Sequence, residues 1–104
     1  MTPEGKILAA ILRCLKAMKA EGESIFFVKL HGSPMQRAGL PDLLLIYRGN
    51  TLAIEVKKPD GKATKLQLHT LKEMEMAGAT AVVVRSVEDV IRVMETSRMG
   101  TKGK

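Results

Sequence analysis

The chain reads as an α/β protein with elements in the order α-β-β-β-α-β-α: a mixed four-stranded sheet, helices packed on it, and an additional C-terminal helix. Three observations predict this. Apolar residues recur at helical spacing near the N-terminus, the pattern of an amphipathic helix. Two strand-like runs, Asp42 to Tyr47 and Leu52 to Lys57, flank a short turn, as in a β-hairpin. A third apolar run, Ala81 to Arg85, lies between two further helical patterns.

Thr2-Pro3 reads as a helix cap with proline at the first helical position. Ile7, Leu8, Ile11, Leu12, Leu15 and Met18 then carry the helix to about residue 19. Glu21-Gly22-Glu23-Ser24 ends it, and the β-branched and aromatic content of Ile25 to Leu30 predicts a strand. His31 to Leu40 holds Gly32, Pro34 and Gly39 and reads as a loop. Pro41 opens a strand without losing a needed donor, and Asp42-Leu-Leu-Leu-Ile-Tyr47 continues it as the nearly uniform apolar run of a strand covered on both faces. After Arg48-Gly49-Asn50-Thr51, Leu52, Ile54 and Val56 alternate with Ala53, Glu55 and Lys57. Pro59-Asp60-Gly61 stops this arm, and Thr64 to Ala77, with Leu68, Leu71 and Met74 inward, forms a helix closed by Gly78. Ala81 to Arg85 is a buried strand, and Ser86-Val-Glu-Asp89 matches a capping box that opens the last helix, with Val90, Ile91 and Met94 inward.

A chain of 104 residues suits one core. The expected organisation is a single domain over 1–97 and a flexible basic tail over 98–104. Seventeen Lys plus Arg against 11 Asp plus Glu, a formal charge of +6, favour a polyanionic partner. With only Phe26, Phe27 and Tyr47 as aromatics, there is little from which to build base-stacking platforms, so contacts to nucleic acid should run through phosphates. A lone cysteine, Cys14, excludes an internal disulfide and suits a reducing compartment. With no signal-peptide pattern and no membrane-length apolar run, the expected location is cytoplasmic, with no membrane partner. His31 and His69 are too isolated for a structural metal site.

Asp42, Glu55 and Lys57 stand out because charge in an apolar hairpin is costly unless it is paired or binds a metal. With Gly49-Asn50 as a two-residue turn, Asp42 faces Lys57, Leu44 faces Glu55, and the period of two puts Asp42, Glu55 and Lys57 on one face. Asp42 and Glu55, with the carbonyl of Val56 between, are hard oxygen donors suited to Mg²⁺ or Mn²⁺. Lys57 would orient a water and offset phosphoryl charge. A cross-strand ion pair with Glu55 at a wet edge accounts for the same three residues.

GLPD at Gly39 to Asp42, followed after a hairpin by EVK at Glu55 to Lys57, resembles the PD-(D/E)XK nuclease signature. GSPMQRAGLPDLLL from Gly32, IEVKKPDGKAT from Ile54 and the glutamine of KLQ at Gln67 resemble the VRR-NUC branch, the virus-type replication-repair nucleases, over roughly residues 4 to 92. The resemblance implies a restriction-endonuclease-like αβββαβ core. It implies metal-binding carboxylates at Asp42 and Glu55, a catalytic lysine at Lys57, a helix glutamine near the scissile phosphate at Gln67, and a first-helix glutamate at Glu4. Glu4 also fits the plain role of an acid in a first helical turn, and Gln67 that of a solvated helix residue.

Further expected DNA contacts are His31, Gln36 and Arg37 in the loop before Asp42, and Lys58, Lys62 and Lys65 after the EVK strand. Surface salt bridging and a solvated charged face are the alternatives for these basic residues. The activity implied is metal-dependent, structure-specific cleavage of DNA, including branched forms such as four-way junctions, by a homodimer in a bacterial cell or a phage-infected host. The last helix, with Met94 and Met99, is a candidate dimer face, although such methionines also serve as core. The readings in other classes are a nucleic-acid-binding module that does not cut and a basic assembly protein.

Overall fold

A computed structural model describes residues 1–30 and 37–100, with side chains through residue 97. The elements are α1 (Pro3–Ala20), β1 (Ile25–Lys29), β2 (Leu43–Tyr47), β3 (Asn50–Val56), α2 (Lys65–Met76), β4 (Thr80–Val84) and α3 (Val87–Gly100). The sheet order is β1-β2-β3-β4. The first two pairings are antiparallel and the last, β3 with β4, is parallel. The expected order and mixed sheet are both present.

Local chemistry fixes the helix starts. The Thr2 hydroxyl accepts the Gly5 backbone N–H at 2.9 Å, with Pro3 in the first turn; such a cap is worth about 1 kcal/mol. At α3 the Ser86 hydroxyl accepts the Asp89 N–H at 3.0 Å, while Asp89 reaches back to the Arg85 N–H at 2.8 Å. The helix continues to Gly100, past residue 98 where the tail was expected to begin; residues 101–104 lie outside the described residues.

The hairpin register departs from expectation. Leu44 stands opposite Ala53 and Tyr47 opposite Asn50, so the two turn residues are Arg48 and Gly49. Both have positive φ, 51° and 87°, the type I′ geometry that matches strand twist. Gly49 takes the second central place. Arg48 accepts the left-handed conformation, its guanidinium 3.0 Å from Glu23 and over the Tyr47 ring. Moving the turn by one residue shifts every cross-strand partner by two, so continuing the ladder sets Asp42 opposite Glu55 rather than Lys57. A shift of two leaves each side chain on its expected face.

One sheet face carries Ile25, Leu43, Leu45, Leu52, Ile54, Val56 and Val84, packed in a single cluster with Ile11 and Leu15 of α1 and Val90 and Met94 of α3. Each such aliphatic side chain contributes roughly 1.5–3 kcal/mol on burial. Met94 is therefore core and offers nothing to a partner. The side chain of Met99 lies outside the described residues. On the opposite face α2 packs against β4, burying Leu71 and Thr70.

Because α2 covers the β3–β4 half, Phe26, Val28 and Ile46 on the same face remain exposed. The second strand is thus covered on one face among the described residues, not on both. Leu68, expected inward, is half exposed, since the helix turns Gln67 toward the sheet instead.

Candidate active site

Where the hairpin ends, β3 leaves Glu55 beneath α2. Its carboxylate is only 3% exposed. One oxygen, Oε2, accepts the Gln67 side-chain N–H at 3.0 Å and lies 3.4 Å from Lys57 Nζ. The other, Oε1, is buried with no hydrogen-bond partner among the described residues. Burial first, then the negative charge of Asp42, push the Glu55 carboxyl up to about 7, against the smaller opposing pull of Lys57. A desolvated carboxylate facing a second acid is a group short of positive charge.

Asp42, just before β2, is pinned differently: its Oδ2 accepts the Val56 backbone N–H at 2.8 Å. This bond caps the ladder where β2 has ended. In an extended strand a residue's N–H and C=O point to the same side, so the Val56 carbonyl is directed toward the Asp42 side as well. Lys57 N donates in the other direction, to the Val84 carbonyl. Asp42 lies near enough for its charge to act on Glu55, and Lys57 Nζ is 3.4 Å from the Glu55 carboxylate.

Glu4 arrives from the first turn of α1 on the far layer. Its Oε2 accepts the Lys58 backbone N–H at 3.3 Å, and its charge also acts on Glu55. A groove of about 360 Å³ opens from this end of the sheet, lined by Glu4, Leu8 and Lys29 and bounded by Asp42. Among the described residues no group of three or more His, Cys, Asp and Glu side chains is gathered tightly enough to form a ready metal cage. Two carboxylates and one carbonyl could serve as hard oxygen donors there, and the orphaned Glu55 Oε1 is the feature that would suit a divalent cation.

The remaining candidates fall in two groups. Lys58, Lys62 and Lys65 are exposed around the β3–α2 connection, beside the carboxylates, with Lys58 Nζ 3.8 Å from Asp60. Arg37 instead binds Glu73 of α2 at 2.7 Å, both ends exposed. His31 and Gln36 lie outside the described residues.

Two contributors escaped the sequence reading. Thr64 caps α2 in a full capping box with Gln67; the Thr-x-x-Gln spacing was the signal. Arg85 donates to the Pro59 and Gly61 carbonyls at 3.2 and 2.7 Å, holding the loop that follows β3. No local pattern marks a contact of that sequence separation.

No family model and no curated protein matches the chain. Solved structures do. One, described as "VRR_NUC domain", is 29% identical with a TM-score of 0.71, covering 91% of this chain and 97% of that one. Another, a "VRR_NUC domain protein", shares the fold at 24% identity and a TM-score of 0.68, covering 91% and 87%. Fold and likeness together support a nuclease-family domain. Over most of its length the chain resembles VRR-NUC domains.

Proposed function

We propose that the protein is a metal-dependent endonuclease that hydrolyses phosphodiester bonds in branched DNA, four-way junctions included. The observation that carries this reading is the buried Glu55, with one oxygen unpartnered, Asp42 opposite and Lys57 Nζ 3.4 Å away. An ion pair with Lys57 alone leaves the buried Oε1 without a partner, a desolvation cost that a bound cation would offset.

Asp42, Glu55 and the Val56 carbonyl would hold Mg²⁺ or Mn²⁺, with Glu4 a further ligand from α1. When bound, the ion would supply Lewis acidity, stabilising phosphoryl charge and making water a better nucleophile. Lys57, 3.4 Å from Glu55 Oε2, orients the water and offsets the negative charge of the transition state. The water oxygen bonds to phosphorus as one P–O ester bond breaks, and the departing alkoxide takes up a proton. Lys58, Lys62 and Lys65 contact flanking phosphates, each adding salt-sensitive affinity. Arg37 joins them once its exposed pair with Glu73 opens, together with His31 and Gln36 of the same loop.

A chain of this size covers little of a duplex, and two copies related by a two-fold axis would deliver paired cuts across a symmetric junction. Among the described residues no helix is long and apolar enough to cross a membrane.

Linear, flap, fork and four-way-junction DNA, incubated with Mg²⁺, Mn²⁺ or EDTA, test the reading. Support is cutting that needs metal and is lost in Asp42→Asn and Lys57→Ala while folding and DNA binding persist. Binding without cutting of any substrate would instead identify a non-catalytic module, and binding insensitive to salt an assembly protein. Sedimentation of protein and complex reads the number of copies.

A further inference from the structure

Gln67 Oε1 accepts the Thr64 backbone N–H at 2.9 Å, and Gln67 Nε2 donates to Glu55 Oε2 at 3.0 Å. The orientation of an amide is ordinarily ambiguous, because its oxygen and nitrogen are nearly the same shape. Here it is decided by chemistry. A backbone N–H can only donate, so the amide oxygen must face Thr64, and the NH₂ group must face Glu55. Thr64 Oγ1 closes the box by accepting the Gln67 N–H at 3.1 Å, so the first turn of α2 sets the direction of this side chain. Both ends of the Gln67 amide are engaged within the protein.

The consequence falls on Glu55. Its Oε2 is held from two sides, by Gln67 at 3.0 Å and Lys57 at 3.4 Å, and only Oε1 is unengaged. Asp42 follows the same plan, one oxygen taken up by the Val56 N–H. We infer that Gln67 is a positioning residue rather than a phosphate contact: the α2 cap orients its amide, which with Lys57 reserves Glu55 Oε2 and presents Oε1 alone to the divalent ion. The inference rests on the metal site proposed above. It makes Glu55 a one-oxygen ligand, with the backbone N–H of Thr64 rather than its side chain holding the Gln67 amide in register.

Calorimetric Mn²⁺ titration of the DNA-free protein, paired with DNA affinity in EDTA, tests it. Loss of a group that orients a metal ligand typically weakens binding about 10–100-fold. Gln67→Met, which cannot donate to Glu55, should therefore weaken Mn²⁺ binding about tenfold or more and leave DNA affinity in EDTA unchanged. Thr64→Ala keeps the backbone N–H that orients the amide, so it should lower thermal stability with little change in Mn²⁺ affinity. Should Gln67→Met fail to fold, the wild-type side-chain amide gives a second readout. Its NH₂ resonances, identified by their absence from Gln67→Glu, should be protected from exchange and should shift on Mg²⁺ addition. Unchanged Mn²⁺ affinity in Gln67→Met with weakened DNA binding would overturn the inference, as would rapidly exchanging NH₂ protons that ignore Mg²⁺. If wild type binds Mn²⁺ no better than Asp42→Asn, the metal site itself falls and the inference with it, a result distinct from either.

Discussion

Glu55→Gln should make the metal-free protein more stable near pH 8 and remove most of its pH dependence. The Glu55 carboxyl ionises near 4.5 in an unfolded chain but is pushed up to about 7 in the fold, by burial and then by Asp42. Between these values the folded state keeps a proton that the unfolded chain has released, so raising the pH favours unfolding. The stabilising effect of the proton is complete below about 4.5 and lost above about 7. At about 1.4 kcal/mol per pH unit, the window is worth about 3 kcal/mol, a large share of the roughly 5–15 kcal/mol that holds a domain together.

The assay is urea unfolding in EDTA at steps from pH 5 to 8, for wild type and Glu55→Gln. Wild type should lose about 3 kcal/mol across the range. The glutamine variant cannot ionise there, so the difference between the two curves isolates Glu55 from any histidine. Mg²⁺ should return stability to wild type at pH 8, by about 2.7 kcal/mol at a hundred times its Kd, and should do little for the variant. A flat wild-type curve, or the same slope in both proteins, would refute the claim that this carboxylate is held short of positive charge.

Lys57→Ala should reduce cleavage about 10²–10³-fold, the usual cost of removing a transition-state charge stabiliser, with DNA affinity in EDTA nearly unchanged by filter binding. Gly39→Ala should destabilise more than Gly49→Ala in urea melts. Both glycines have positive φ, but a Cβ at Gly39 would lie 2.6 Å from Leu66 Cγ whereas one at Gly49 meets nothing within 4 Å, so about 1–3 kcal/mol of crowding adds to a backbone cost of about 1. Arg37→Ala should cost under about 1 kcal/mol of stability, since its pair with Glu73 is exposed at both ends. If Arg37 binds a phosphate, the same change should lower the slope of log affinity against log salt by about 1.

The sequence carried the site further than it carried the hairpin that builds it, and the reason is parity. Placing the turn at Gly49-Asn50 instead of Arg48-Gly49 mispaired every residue of β2 and β3, yet the error moved partners by two, and strand faces repeat every two residues. Asp42 and Glu55 were therefore assigned to the correct side with the wrong neighbours. What mispairing hid was the relation between them. Directly opposed, the two acids act on each other strongly enough to help hold a proton on Glu55 near neutrality, whereas the expected Asp42–Lys57 pair would have relieved Asp42 and left Glu55 diagonal. The orientation of Gln67 was legible in principle, because Thr64-x-x-Gln67 is a local cap signal. That its other end reaches Glu55 depends on how α2 lies across β3, which no local pattern specifies. Arg85 is the extreme case: it holds a loop 24 and 26 residues away, and only the parallel β3–β4 crossover brings it there. Residue types and their faces were thus readable from short-range periodicity, while the contacts that tune Glu55 arise where separate elements meet.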